Sequence, residues 1–190
     1  MSIVIVDSGG ANLTSIKNAF EKISSQAVVS IDENIISNAD YVILPGVGSA
    51  QMVMQSLISN NLVNVIKSLT QPVLGICVGM QILFNSSEEQ NCKCLGLIND
   101  DIKKFNLPKD KAVPHMGWNK VIFESEQLLS NYYYFANSYY APITKDTTSI
   151  CEYGIEFSAT VQKDNFFGCQ FHPEKSSNSG IKFIQNFLNY

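Results

Sequence analysis

Short apolar runs alternate with segments of helical spacing over residues 1–84, and this alternation most restricts the folds open to the chain. Strand-like runs lie at 3–6, 27–31, 41–44 and 73–76, and helical patterns lie at 13–23, 50–58 and 62–69. Strands that alternate with helices pair in parallel, because each helix returns the chain to the start of the next strand. We therefore predict an α/β fold with an open, mostly parallel, doubly wound sheet and helices on both faces.

The second half of the chain departs from this pattern. Residues 85–111 form a polar stretch with short strands, and strand-like runs follow at 119–125, 132–140, 149–151 and 157–162. These runs predict a partly antiparallel extension of the sheet, in which aromatic residues suit half-buried strands. A last strand at 166–171 and a helix at 180–188 complete the chain. A length of 190 residues with 45% hydrophobic residues predicts a single domain, 1–190, with a sizeable core.

Charge, hydropathy and cysteine content exclude several classes of function. A net charge of −4 gives no reason to expect nucleic acid or an anionic membrane as a partner. No apolar run approaches the 18 residues of a membrane span and no leader pattern is present, so we expect a cytoplasmic protein. Five irregularly spaced cysteines do not form a disulfide framework. Cys92 and Cys94 have no second cysteine pair and no nearby histidine, so we predict neither a metal nor a cofactor.

A sharp turn, Gly75-Ile76-Cys77-Val78-Gly79, joins the fourth predicted strand to an apolar segment of helical spacing. Strand, turn and helix in this order are typical of a nucleophile elbow, with cysteine in the place of serine. Glycines two residues before and after Cys77 permit the tight turn. The helix N-terminus favours a thiolate there, and the N–H of Val78 is a candidate oxyanion donor. The alternative is a buried structural cysteine in an ordinary turn.

The chain has only two histidines, His115 and His172, so a nucleophilic Cys77 that works with an imidazole must use one of them. Pro173 forces His172 into an extended conformation, which directs Glu174 to the same side of the chain. A carboxylate bonded to the imidazole fixes its tautomer and supports the imidazolium. We therefore predict a triad of Cys77, His172 and Glu174, the alternative being a surface His and Glu at a strand end. His115 is assigned a structural or binding role.

The turn Pro45-Gly46-Val47-Gly48 follows the third predicted strand. Functional turns of parallel sheets lie at the carboxyl ends of the strands, where this turn and the elbow come together. Backbone N–H groups between glycines can point into such a crevice. We predict that Val47 or Gly48 supplies the second oxyanion donor, the alternative being a plain turn.

The stretches Gly-Ile-Cys-Val-Gly-Met-Gln at 75–81 and Gln-Phe-His-Pro-Glu at 170–174 resemble the class I glutamine amidotransferases. Leu-Pro-Gly-Val-Gly at 44–48 and Val-Pro-His-Met-Gly-Trp-Asn at 113–119 are similar to the branch that serves histidine biosynthesis. The resemblance extends from Asp7 to the final helix. It implies cofactor-free hydrolysis of L-glutamine through a cysteine thioester. It also implies a heterodimer with a cyclase subunit, a (βα)8 barrel that receives the ammonia.

The resemblance also implies roles for further residues. Positions that match glutamine contacts in the family are Gly48, Gln81, Glu89, Ser138 and Tyr139. Positions that match the surface facing the cyclase are Asn12, Met116, Trp118 and Lys175.

The chain departs from the family pattern in two places. Asn137 stands where the family usually has histidine, and the turn at 7–12 differs from the usual Asp-Tyr-Gly-Met-Gly-Asn. Two alternative functions stay open at this point. One is a related glutaminase that supplies ammonia to a sugar amidotransferase, and the other is a non-catalytic regulatory subunit.

Overall fold

The computed structural model describes residues 1–9, 12–23, 26–46, 48–123 and 130–190. The strands in this part of the chain are β1 Ile3–Val6, β2 Ala27–Ser30, β3 Tyr41–Gly46, β4 Val73–Cys77, β5 Phe84–Ser87, β6 Cys92–Lys93, β7 Ile98–Lys104, β8 His115–Phe123, β9 Asn131–Asn137, β10 Tyr139–Tyr140, β11 Thr147–Glu152, β12 Glu156–Lys163 and β13 Phe166–Cys169. The α-helices are α1 Leu13–Glu21, α2 Glu33–Ser37, α3 Ala50–Ser59, α4 Leu62–Ser68, α5 Val78–Gln81 and α6 Ser177–Phe187. Short 3₁₀ helices cover Glu89–Asn91 and Pro173–Lys175.

Nine strands form one mixed sheet in the order β2-β1-β3-β4-β13-β12-β11-β8-β9. The strands from β2 to β13 pair in parallel, and those from β13 to β9 pair antiparallel. This confirms the predicted α/β class and its antiparallel extension, which makes up a larger share of the sheet than expected. Because β13 is parallel to β4, the turns that follow both strands open at the same edge of the sheet.

The strand order also accounts for where the helices lie. The step from β1 to β2 runs in the opposite direction to the steps from β2 to β3 and from β3 to β4. Right-handed crossovers therefore carry α1 to one face of the sheet and α2, α3 and α4 to the other. In agreement, α1 contacts the 3₁₀ helix that precedes α6, whereas α2 and α3 both contact α4. The order reverses between β1 and β3, where sheets of this kind form a ligand crevice.

The core is continuous across the sheet. Every residue of β1 and β4 is buried, as expected for central parallel strands covered on both faces. The largest buried rings are Phe20, Phe84, Phe135, Phe157 and Phe171. Each contributes about 2–3 kcal/mol relative to an exposed ring, so the aromatic residues of the second half anchor the antiparallel extension.

A second sheet, in the order β10-β7-β5-β6, joins three strands that follow the elbow to β10 from later in the chain. The apolar segment of helical spacing after the elbow forms only a short helix, which ends at Gln81. The carbonyl of Leu83 accepts hydrogen bonds from the backbone N–H groups of Leu97 and Ile98, at 2.8 and 2.9 Å. Residues after Gln81 therefore pair with the segment that leads into β7 instead of continuing α5.

The remaining boundaries differ modestly from those predicted. The strand predicted at 119–125 begins earlier, at His115, and residues 124 and 125 lie outside the described residues. The strand predicted at 132–140 is divided at Ser138, where the chain leaves the large sheet for the small one. None of the helices in the described ranges has the length and apolar character needed to cross a bilayer.

Candidate active site

Cys77 lies at the junction of β4 and α5, as the predicted elbow requires. Its backbone has φ 55° and ψ −110°, a region that residues with a side chain rarely adopt. A Cβ on Gly46 would lie 2.6 Å from the Val78 carbonyl carbon, and one on Gly79 would overlap the carbonyl oxygen of Leu44. The two glycines therefore let the elbow pack directly against the end of β3.

His172 lies just beyond β13 and is held in place by β9. Its backbone N–H donates to the carbonyl of Tyr134 at 2.8 Å. The Ser176 hydroxyl donates to the His172 carbonyl at 2.7 Å and accepts from the Tyr134 N–H at 2.9 Å. Two hydrogen bonds thus fix the turn that carries the imidazole to Tyr134 of β9, and a third closes the turn on itself.

The predicted contact between His172 and Glu174 is present. Nδ1 of His172 donates to Oε1 of Glu174 at 2.9 Å, and both side chains are buried. The same carboxylate oxygen accepts from the side-chain amide of Asn12 at 3.2 Å. Because Nδ1 is bonded to the carboxylate, Nε2 is the ring nitrogen left to serve Cys77.

Cys77 and Glu174 set the protonation of His172. Burial by itself lowers the pKa of His172, but its interactions with Cys77 and then with Glu174 outweigh burial and raise the pKa to about 10. Burial, followed by the charges of Glu174 and Cys77, holds the pKa of the Cys169 thiol well above its ordinary range. The site therefore favours an imidazolium beside Cys77 and a neutral thiol at Cys169.

Two buried glutamines connect Cys77 to β10. Nε2 of Gln170 donates to Sγ of Cys77 at 3.6 Å, and Oε1 of Gln170 accepts from Nε2 of Gln81 at 2.9 Å. The same Gln81 nitrogen donates to the carbonyl of Tyr139 at 3.1 Å. Asn137 donates its side-chain amide to this carbonyl at 2.9 Å. Gln81 and Tyr139, both predicted to contact glutamine, are thus connected to the elbow.

Gln170 belongs to the stretch at 170–174 that carries the family resemblance, but no role of its own is predicted for it. The sequence predicts a single buried strand at 166–171, and in such a strand each residue is expected only to pack. The available signal was a lone amide side chain between Cys169 and Phe171, at the end of a buried run. A buried amide requires hydrogen-bond partners, and here one partner is the sulfur of Cys77.

Two of the three candidate oxyanion donors, Val78 and Gly48, lie within the described residues. Val78 is the first residue of α5, so its N–H has no acceptor within the helix. Gly48 is exposed and has φ +86°. Val47 lies outside the described residues. Val78 begins α5 and Gly48 follows β3, and their role as oxyanion donors stays a prediction.

The other residues predicted to bind glutamine have partners within the chain. Oε2 of Glu89 accepts from the backbone N–H of Ala50 at 2.8 Å, which ties Glu89 to the start of α3, two residues after Gly48. The carbonyl of Ser138 accepts from the N–H of Phe105 at 3.1 Å. These contacts bring Glu89 close to the turn that follows β3 and fix the backbone between β9 and β10.

The residues predicted to face a partner lie on one side of the site. Met116 and Trp118 are 64% and 53% exposed and occupy alternate positions of β8, so they share a face. The ring of Trp118 meets that of Tyr134 edge-on at 6.3 Å. Nζ of Lys175 lies 5.8 Å from the Tyr134 ring centre. Together with Asn12 on Glu174, they form an exposed surface next to the His172 turn.

His115 lies on the opposite face of β8, away from solvent. Its ring stacks on Tyr153 at 3.9 Å and on Phe135 at 4.8 Å. Burial, and then the charge of Lys111, lower its pKa to about 4. Nδ1 of His115 has no hydrogen-bond partner among the side chains and backbone the structure describes. The histidine is therefore neutral and structural in this fold, in keeping with its predicted role.

The remaining cysteines are all reduced and buried. Burial, followed by the charge of Cys92, raises the pKa of Cys94 to about 12, and burial first of all raises that of Cys151 to about 12. Over the ranges that the structure covers, no three His, Cys, Asp or Glu side chains group as a metal site would need. Cys77 therefore differs from the other four in its position at the elbow.

Comparison with known proteins finds matches that cover nearly the whole chain. The family described as "Glutamine amidotransferase class-I" matches residues 4–189. The chain is 46% identical to imidazole glycerol phosphate synthase subunit HisH of Shewanella sediminis, over 98% of this chain and 90% of that protein. It is 45% identical to the subunit of the same name from Escherichia coli K12, over 99% of both chains.

Solved structures share the fold. A crystal structure described as a glutamine amidotransferase superposes with a TM-score of 0.77 at 14% identity, covering 98% of this chain and 97% of that one. The structure of PurLQS from Thermotoga maritima superposes with a TM-score of 0.71 at 18% identity, covering 100% and 97%. At such identities the similarity concerns the architecture of the sheet and its helices.

Proposed function

The chain belongs to the class-I glutamine amidotransferase family, and from this premise we propose that it is the glutaminase subunit of an imidazole glycerol phosphate synthase. It hydrolyses L-glutamine to glutamate and ammonia. One observation carries the chemistry: an elbow cysteine, Cys77, lies close enough to the His172 imidazole to raise its pKa, and Nδ1 of that imidazole is bonded to a buried carboxylate. Nucleophile, base and orienting acid in this geometry are suited to acyl transfer.

In the first half of the reaction, the Cys77 thiolate attacks the side-chain carbonyl carbon of glutamine. A C–S bond forms while the carbonyl electron pair moves onto oxygen, where the Val78 N–H and a donor from the turn after β3 stabilise it. The His172 imidazolium then donates its proton to the amide nitrogen. The C–N bond breaks, ammonia leaves and a thioester remains on Cys77.

In the second half, water replaces ammonia. His172, now neutral, removes a proton from water as it attacks the thioester carbon. Collapse of the second oxyanion breaks the C–S bond, releases glutamate and restores the thiolate beside the imidazolium. Glu174 holds the ring orientation throughout, because its carboxylate stays bonded to Nδ1.

The acceptor of the ammonia is a second subunit. Relatives that match this chain over nearly their full length are named subunits of imidazole glycerol phosphate synthase, which supports a role within a complex. We infer that the partner is a cyclase built on a (βα)8 barrel, which uses ammonia to form imidazole glycerol phosphate and an aminoimidazole carboxamide ribotide. The exposed pair Met116 and Trp118, beside the His172 turn, is the surface proposed to bind it.

Glutamate release tests this function. We expect hydrolysis of glutamine by the chain together with a cyclase subunit and its ligand, and loss of hydrolysis in Cys77→Ala. Cys151→Ala removes another buried thiol, on β11, and is the matched control, expected to keep its turnover. An electrophilic glutamine analogue is expected to label Cys77 alone among the five cysteines.

Two results contradict the proposal. Undiminished glutamate release by Cys77→Ala would exclude the cysteine mechanism. Coupling of ammonia to a sugar amidotransferase, with none to a cyclase, would assign the chain to the other branch of the family.

A further inference from the structure

We propose that Gln170 is a positioning residue that donates a hydrogen bond to the sulfur of Cys77 and thereby favours the thiolate. The inference rests on the proposed function in taking Cys77 as the nucleophile. The neutral amide of Gln170 would then stabilise the thiolate together with the charged imidazole of His172. The geometry behind it is the 3.6 Å separation between Nε2 of Gln170 and Sγ of Cys77.

The orientation of the Gln170 amide follows from its neighbours. The carbonyl of Tyr139 can only accept, so the Gln81 atom 3.1 Å from it must be the NH₂ group. That same nitrogen lies 2.9 Å from the Gln170 side chain, where it needs a second acceptor. The Gln170 atom facing Gln81 is therefore Oε1, which leaves its NH₂ group facing the sulfur. A backbone carbonyl thus fixes the direction of the whole chain of bonds.

The environment strengthens this bond. Gln170 is fully buried and Cys77 is 5% exposed, so the bond lies in an environment of low dielectric, where it is electrostatically stronger than in water. An N–H donor stabilises a thiolate more than a neutral thiol, because the acceptor then carries the charge. The opposite orientation would have offered the sulfur an acceptor and favoured the neutral thiol. The direction of the amide therefore decides the sign of its effect.

The ionisable groups near the sulfur are few. His172 lies close enough to Cys77 for the two to interact, Glu174 is bonded to His172, and Cys169 also interacts with Cys77. The elements packed against Cys77 from β3 and α5 contribute Gly46, Val78 and Gly79, none of which titrates. In this part of the described chain the sulfur thus has a neutral hydrogen-bond donor, Gln170, and a charged neighbour, the His172 imidazolium.

The pH dependence of alkylation at Cys77 tests the inference. The isolated chain is treated with iodoacetamide across a pH series, and modification of the Cys77 peptide is followed by mass spectrometry. In Gln170→Met the pH midpoint of alkylation is expected to rise by about one unit, a tenfold lower thiolate fraction at fixed pH. In Gln170→Glu a larger rise is expected, because a carboxylate replaces the donor.

Two further variants separate a shift of the alkylation midpoint from a general loss of structure. Gln162→Met makes the same chemical change near the end of β12, where the amide contacts the Tyr190 hydroxyl, and is expected to leave the midpoint unchanged. Gln170→Asn keeps a buried amide but shortens the side chain by one methylene, which moves the donor out of reach of Sγ. It serves where a larger change prevents folding, as judged by circular dichroism.

An unchanged midpoint in folded Gln170→Met or Gln170→Asn would overturn the inference, since a purely structural role does not alter the acidity of the thiol. The assay needs neither glutamine nor a partner. A shifted midpoint without glutamine hydrolysis would therefore refute the proposed function alone. Cys77-dependent hydrolysis with an unshifted midpoint would refute only the role of Gln170.

Discussion

Replacement of His115 by phenylalanine is expected to make the fold less sensitive to acid. The imidazole is 3% exposed and stacked between Tyr153 and Phe135, where a phenyl ring retains both contacts. His115 has a folded-state pKa of about 4 against an ordinary value of 6.5, a shift caused first by burial. Between these values the unfolded chain binds the proton and the folded chain does not.

The sign and size of the effect follow from this difference. Stability rises with pH wherever the unfolded state binds more protons, so His115 costs stability as the pH falls from 6.5 towards 4. Between pH 7.5 and 5.0 these two pKa values correspond to a loss of about 2 kcal/mol. Without an imidazole at this position, that part of the loss disappears.

Urea unfolding of the isolated chain at the two pH values measures the effect. The free energy of unfolding of His115→Phe should fall by about 2 kcal/mol less than that of wild type between pH 7.5 and 5.0. Tyr132→Phe, an exposed ring on β9, is the control and should behave as wild type. His172 is present in all three chains, so its contribution cancels. Equal losses in His115→Phe and wild type would refute the reasoning.

Three further perturbations address the elbow, the base and the partner surface. Gly46→Ala should lower both the melting temperature and glutamine turnover, because the added Cβ meets the backbone of Val78 at 2.6 Å; native values for both would contradict the packing. His172→Asn should reduce turnover about 10³-fold, whereas His115→Asn should keep most of it in the free subunit; the reverse pattern would exchange their roles. Trp118→Ala should weaken partner binding about tenfold or more in calorimetric titration, with unchanged melting; undiminished affinity would remove Trp118 from the interface.

Much of the fold was predictable because its signals are local. The runs that became β1 and β4 are buried on both faces, so they contain no polar residue that would obscure them. The contact between His172 and Glu174 was also predictable, since Pro173 restricts the backbone of its neighbour and directs both side chains to one side.

The remaining features depend on contacts between distant segments. Helix α2, Glu33–Ser37, has five residues and is too short to show a helical period, although Asp32 accepts from two of its N–H groups. The early end of α5 depends on pairing with residues beyond Leu95, which local spacing does not reveal. The role suggested for Gln170 requires β13 to lie beside β4, a pairing across more than 90 residues of chain.

At position 77 the backbone conformation and the catalytic chemistry favour different residues. Its φ of 55° and ψ of −110° cost a residue with a side chain about 1–3 kcal/mol, a cost that glycine would avoid. Glycine has no nucleophilic side chain. Backbone energy therefore favours glycine at this position, whereas the proposed chemistry requires cysteine. Directed evolution for heat resistance alone would therefore push this position away from cysteine. A programme to stabilise the protein needs to hold residue 77 constant and seek its gains elsewhere in the sheet.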